Sequence, residues 1–285
     1  MSDQPLENAM LASLETVRRL DHDRFLTTLL APANQRAKLV ALYAFNAEIA
    51  RVREMVSEPM LGQIRLQWWR ETIESVAKGE ARGHEAAEAL LAAFGAEEID
   101  TAGLISLIDA RERDLEDEPF ETMADLIAYC EATSSNLMAA AAKGLSPAKA
   151  DQATEILKSA GIAFALTGLL RALPMHASQG RIYLPLELLR KHDVNPHQIF
   201  AGKMSEDLRV IINEIADEAK KHLVASRSAA RAPKEILPAL WPASLSDLYL
   251  KQITAPAFNP FTDPTELSAF RRQLRLLGRK LTGRF

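Results

Sequence analysis

The sequence predicts an all-helical fold, and three observations carry that prediction. Ala, Leu, Glu, Arg and Lys dominate while Gly is sparse, a mixture that favours helix wherever packing does not decide otherwise. Apolar residues recur at three- and four-residue spacing along most of the chain. No stretch alternates like a strand, and only Tyr183-Leu184-Pro185 reads as a short extended segment.

Each element has its own signal. Leu11, Leu14, Val17 and Leu20 set the first helix. Leu39, Leu42, Tyr43, Phe45, Ile49 and Val52 mark a second. Pro59 opens a third, which carries Ile64, Leu66, Trp68, Trp69 and Ile73 and stops near Gly79. Trp68 and Trp69 are adjacent and point about 100° apart, so one faces the core and the other an interface or cavity wall. Shorter helices follow over 85–94 and 104–113. Thr122 caps a helix to about Ala142, ended by Gly144 and restarted by Pro147. The most apolar helix, 148–173, is expected at the centre, and Pro174 breaks it. After a loop come a long helix over 206–230 and a shorter one over 244–253. Pro256, Pro260 and Pro264 then form a rigid linker into a basic terminal helix.

A chain of 285 residues with 48% apolar and 25% charged residues is long enough for one large core. Its net charge of −4 argues against a general nucleic-acid binder, because phosphate contact needs a basic surface. The single cysteine, Cys130, allows no internal disulfide and fits a reducing compartment. The first residues are polar and acidic, and the longest apolar stretch, 160–170, is too short to span a bilayer. The expected location is therefore cytoplasmic, with any membrane contact peripheral and on the inner face of the cytoplasmic membrane.

Two stretches resemble a known family. The first runs from Asp23-Arg24-Phe25 through Leu42-Tyr43-Ala44-Phe45-Asn46-Ala47-Glu48-Ile49-Ala50 to Ile64-Arg65-Leu66-Gln67-Trp68-Trp69-Arg70. The second runs from Gly161-Ile162-Ala163 through Leu170-Arg171 to Gly180-Arg181-Ile182-Tyr183-Leu184-Pro185. Their order and spacing are similar to the squalene/phytoene synthases. The resemblance implies an isoprenoid-synthase helical bundle around a central cavity over 1–255, followed by the Pro-rich linker and basic helix over 256–285. It also implies two aspartate-rich motifs that hold Mg²⁺ against a prenyl diphosphate, since hard cations need oxygen ligands to bridge that charge.

The motif positions are degenerate here. The first reads Ala50-Arg51-Val52-Arg53-Glu54, with Glu54 its one carboxylate. Glu58 lies one turn on, but Pro59 disfavours helix at that residue. The second reads Ala172-Leu173-Pro174-Met175-His176, with neither Ala172 nor His176 acidic. No metal site and no cofactor are expected on this pattern; Mg²⁺ would enter only if the chain is a working prenyltransferase. The run from Arg171 to His176 resembles instead the non-catalytic branch related to the mitochondrial complex I assembly factor. That resemblance implies a complex I subunit or assembly intermediate as partner. A prenyltransferase recruiting Glu48, Glu54 or Asp109, and a metal-free carrier of isoprenoid or anionic lipid, stay open beside it.

Several residues have both a sharp and a plain reading. Arg51, Arg65, Arg171 and Arg181, with Tyr183 and His176, could line the cavity and grip an anionic head group, or each arginine could pair with a local carboxylate. His176 is expected to be satisfied by a backbone carbonyl, and His192 and His197 to sit in a surface turn. The acidic run Asp114-Leu115-Glu116-Asp117-Glu118 reads as a solvated helix end. In the terminal helix, Phe270, Leu274, Leu277 and Leu281 form one apolar stripe among Arg271, Arg272, Arg275, Arg279 and Lys280. Such a helix suits an anionic membrane or a partner surface, or packs on the domain with a basic outer face.

Overall fold

Two long apolar stretches of the chain, over 39–45 and 160–170, become largely buried helices. The computed structural model describes residues 3–81, 83–228 and 231–285, with side chains from Leu6 onward. The first half comprises α1 (Asp3–Leu20), α2 (His22–Leu30), α3 (Ala33–Ala50), α4 (Pro59–Val76), α5 (Glu85–Glu98), α6 (Thr101–Ala110), α7 (Met123–Cys130) and α8 (Asn136–Leu145). The second half comprises α9 (Pro147–Asp151), α10 (Thr154–Arg171), α11 (Leu173–Ser178), α12 (Leu186–Lys191), α13 (Pro196–Phe200), α14 (Glu206–Ser228), α15 (Leu237–Leu240), α16 (Ser246–Ile253) and α17 (Ala269–Thr282). No strand forms among the described residues.

Helix α3 is buried on every side from Leu39 to Ala47, the mark of a core helix rather than an amphipathic one. It packs between α1, α5 and α8, while α10 lies along α14 and touches α8 and α16. Trp69 is fully buried and meets Phe45 edge-on at 5.5 Å, whereas Trp68 is half-buried beside it. The pair divides as helical geometry requires.

Where helices differ from the expected ones, local chemistry gives the reason. The helix begun by Thr122, whose hydroxyl and Asp125 form a capping box, contains a π turn over Glu131–Ser135 and runs on to Leu145. At that turn Ser135 donates to the Lys158 carbonyl at 2.7 Å. A Cβ on Gly161 would come within 2.4 Å of the Ser135 Cα, so glycine permits α10 to approach this closely. The expected single helix over 148–173 is two, separated at Gln152 and Ala153. Pro174 breaks α10 but also starts α11, where its missing N–H costs nothing. The shorter helix expected over 244–253 is the end of a longer helical path beginning at Lys234. Helices α2, α12 and α13 are additions to the expected set, and the last residues expected in the 206–230 helix lie outside the described residues.

Candidate functional site

Asp114 lies at the centre of a buried polar cluster at the end of the 3₁₀ turn Arg111–Leu115. Its carboxylate accepts from Tyr129 Oη at 2.6 Å, Tyr183 Oη at 3.0 Å and Arg111 Nη1 at 3.3 Å. Arg181 Nη2 donates to the Asp114 carbonyl at 2.5 Å and to Tyr183 Oη at 3.1 Å. Arg111 reaches Asn46 of α3 at 3.4 Å, which ties the cluster to the helix carrying the first motif position. Burial first, and then the Asp114 charge, hold the Tyr129 and Tyr183 phenols above their ordinary range. The expected solvated helix end is therefore corrected at this residue: Asp114 is 6% exposed, because two guanidinium groups and two phenols replace its water.

His176 leans on this cluster. Its ring stacks on Tyr183 with centroids 4.4 Å apart, and its Nδ1 is buried with no hydrogen-bond partner among the described residues. The expected backbone-carbonyl contact of this histidine does not form at Nδ1. Burial, and then the charge of Arg181, push its pKa down to about 4, so the ring is neutral. Beside it, a hollow of about 10 Å³ between α7, α10, α11 and α14 is lined by Leu126, Leu169, Leu173 and Ile215. That is room for no more than one water.

A second buried carboxylate, Asp23 of α2, collects Arg171 Nη1 at 2.9 Å, Arg272 Nη1 at 3.0 Å and Tyr249 Oη at 3.1 Å. Glu266 pairs with both arginines from the surface. The Arg171 guanidinium also lies over the Tyr249 ring, 3.7 Å from its centroid. Ala172 and Gly168 line the adjoining surface cleft of about 700 Å³.

The remaining candidates stand elsewhere. Ala50 ends α3, and Arg51 caps it, with Nη1 3.5 Å from Glu48 and Nε 3.1 Å from the Met55 sulfur. Glu54 is exposed, and Glu58 is extended before Pro59, so the two do not share a helical face. Arg65 lies over the Trp68 ring at 5.6 Å. Asp109 is held by Arg70 at 2.7 Å. The four candidate arginines thus do not form one lining: Arg181 joins Asp114, Arg171 joins Asp23, and Arg51 and Arg65 keep local partners. Glu48, Glu54 and Asp109 do not converge either, and among the described residues no group of three or more metal-binding side chains comes together. Among the described residues, the carboxylates weighed for a Mg²⁺ site therefore stand apart from one another. His192 is not free in its turn, since Nε2 meets Glu214 at 2.8 Å.

The terminal helix packs against α2 and the 241–245 turn, and its orientation corrects the expectation of a basic outer face. Arg272 and Leu276 are buried, and Arg275 and Arg279 turn inward to Asp247 at 2.6 and 3.5 Å. The apolar stripe faces out, with Phe270 72%, Leu274 59%, Leu277 46% and Leu281 78% exposed. Inward arginines follow from Asp23, Glu266 and Asp247, which give them partners that solvent does not. Arg271 and Lys280 remain exposed on the same helix as the stripe, and Arg284 is exposed just beyond its end. No described helix is long and apolar enough to cross a membrane.

Comparison with known proteins agrees with this architecture. A family model for squalene/phytoene synthase matches residues 17–279. The chain is 32% identical over 261 residues to the rat NADH dehydrogenase (ubiquinone) complex I assembly factor 6, spanning 90% of this chain and 77% of that protein. It is 29% identical over 246 residues to the chloroplastic phytoene synthase of Daucus carota, covering 80% and 58% of the two chains. A crystal structure of a dehydrosqualene synthase superposes with a TM-score of 0.84 over 98% of each chain at 18% identity, a likeness of fold.

Proposed function

The chain belongs to the squalene/phytoene synthase family, and we propose that this member is a non-catalytic assembly factor for the respiratory NADH dehydrogenase, working at the membrane surface. One observation carries the reading: the positions where the resemblance expects diphosphate-binding carboxylates hold Ala50, Arg51, Ala172 and a buried, neutral His176, which leaves the exposed Glu54 as the one carboxylate of the two motifs. Ionising a diphosphate needs divalent cations bridged by oxygen ligands, and neither a guanidinium nor an uncharged imidazole supplies one. The extensive similarity to assembly factor 6 proteins supports complex I as the system served. The exposed apolar stripe of α17 beside Arg271 and Lys280 supports contact with an anionic membrane, where each nearby cation adds about 1 kcal/mol.

Two measurements test this. Deleting the gene should lower the amount of fully assembled NADH dehydrogenase on native gels and its NADH-oxidising activity, both restored by the wild-type gene. Purified protein given farnesyl or geranylgeranyl diphosphate, Mg²⁺ and NADPH should yield no extractable hydrocarbon beside an active synthase control. Normal assembly in the deletion strain would remove the assembly role. Squalene or phytoene in the extract would replace this reading by the prenyltransferase one.

A further inference from the structure

Three arginines converge on one carboxylate where the end of α14 meets α16 and α17. Arg227 binds Asp247 through both Nη atoms at 3.0 Å, Arg275 adds a contact at 2.6 Å and Arg279 one at 3.5 Å. A guanidinium carries five N–H donors, so one half-buried carboxylate cannot satisfy three of them. Nε of Arg227, Arg275 and Arg279 is buried without a hydrogen-bond partner among the described residues, as is that of Arg171 and Arg272 around Asp23. Burial, followed by the charges of Arg275 and Arg227, holds the Arg279 guanidinium below its ordinary pKa.

The surplus charge borders a concavity. Arg227, Arg231, Arg279 and Arg284 line a pocket of about 480 Å³, with no acidic side chain among the described lining residues. Arg231 and Arg284 are exposed and make no ion pair among the described residues. Arg231 reaches the end of the chain at Gly283, whose left-handed backbone (φ +62°) places a Cβ position 3.5 Å from Arg231 Nη2. Arg227 lies over the Phe285 ring at 5.8 Å. Several guanidinium forks around one concave site, with a single shared carboxylate behind them, form a receptor for a multiply accepting oxyanion.

We infer that this pocket binds a phosphate group, held by Arg227, Arg231, Arg279 and Arg284. The chemistry is common to the phosphodiester of an anionic phospholipid and to a soluble phosphate. Geometry adds a reason to test the lipid: Arg279 also lines the neighbouring groove of about 890 Å³, whose walls include Phe258, Leu267 and Leu274. That groove opens beside the exposed stripe of α17. Only the lipid source rests on the membrane-surface reading; the phosphate site stands without it.

The test uses the full chain and three proteins: wild type, Arg231→Ala/Arg284→Ala, and Leu274→Ser/Leu281→Ser. Both pairs alter exposed side chains, and thermal unfolding should stay close to wild type. Inorganic phosphate is titrated while the arginine Nε–Hε resonances are followed by NMR, and vesicles of phosphatidylcholine with and without phosphatidylglycerol are tested by co-sedimentation. Wild type should bind phosphate or the phosphatidylglycerol vesicles, and the arginine pair should weaken that binding by tenfold or more, since each of the two lost charge-assisted contacts is worth about tenfold. Binding of both ligands, weakened in both cases, means a general phosphate site. Binding only of the charged vesicles, lost in the arginine pair, assigns the lipid. Phosphate binding without vesicle binding keeps the site and overturns the membrane reading. The leucine pair should lose vesicles and keep phosphate, which separates the two failures. No response to either ligand, or equal binding by wild type and the arginine pair, overturns the proposal.

Discussion

Asp114 and Asp23 are both buried acids surrounded by arginine and tyrosine, yet they join different things. The Asp114 side chain and carbonyl gather partners from the 3₁₀ turn, α7 and the 181–183 segment, all within 69 residues in sequence. Asp23 gathers partners 148, 226 and 249 residues away, on α10, α16 and α17. Asp114 therefore closes one wall of the bundle, and Asp23 fastens the terminal helix to the rest. A second difference follows from surroundings. Around Asp23 both arginines also reach Glu266, whereas around Asp114 no second carboxylate among the described residues is in hydrogen-bonding contact with Arg111 or Arg181.

Breaking the Asp114 cluster should have the largest effect. Asp114→Ala leaves the Arg111 guanidinium in the interior without its counter-charge, and stripping one partner from a buried ion pair costs about 3–5 kcal/mol. Urea unfolding should register that loss across the whole bundle. A loss below about 1 kcal/mol would mean that water reaches Arg111 and that the cluster is not a closed wall.

Asp23→Ala should cost less, about 2 kcal/mol, because Arg171 and Arg272 keep Glu266. Its signature is local: amide exchange should accelerate over 269–282 while α3 and α10 stay protected. Adding Glu266→Gln should remove the reserve and bring the total near the Asp114 value. Equal acceleration in α3 would show that Asp23 supports the core instead of tethering α17.

The same contrast explains what the sequence made legible. Runs such as Leu39–Ala47 and the apolar face of α10 are local patterns, so both core helices were readable, as was the cap at Thr122. Arg181 and Tyr183 were singled out by the segment that resembles the synthases. Arg111 and Tyr129 were missed, because nothing in their own neighbourhoods marks them and their meaning comes from Asp114. Asp114 itself was hidden inside an acidic run whose other members are solvated. Periodicity also gave the stripe of α17 but not its direction, since a period has no inside or outside. That choice is made by Asp23, Asp247 and Glu266, which lie on other segments of the chain.

His176 offers the smallest effect and a way to read the two clusters separately. Its pKa falls from an ordinary 6.5 to about 4 on folding, so between those values the unfolded chain binds the extra proton. This contribution to stability is fully present above pH 6.5 and is lost as the pH falls toward 4. His176→Phe keeps a ring against Tyr183 and removes the titration, so its stability should fall less than wild type on acidification, by about 1 kcal/mol at pH 5.5. Comparing urea unfolding at pH 7 and 5.5 checks the sign; a steeper fall in the variant would mean the ring is charged in the folded state. The NMR-titrated pKa of His176 then distinguishes the clusters. Asp114 raises that pKa against burial and Arg181, so Asp114→Asn should lower it further, while Asp23→Ala should leave it in place.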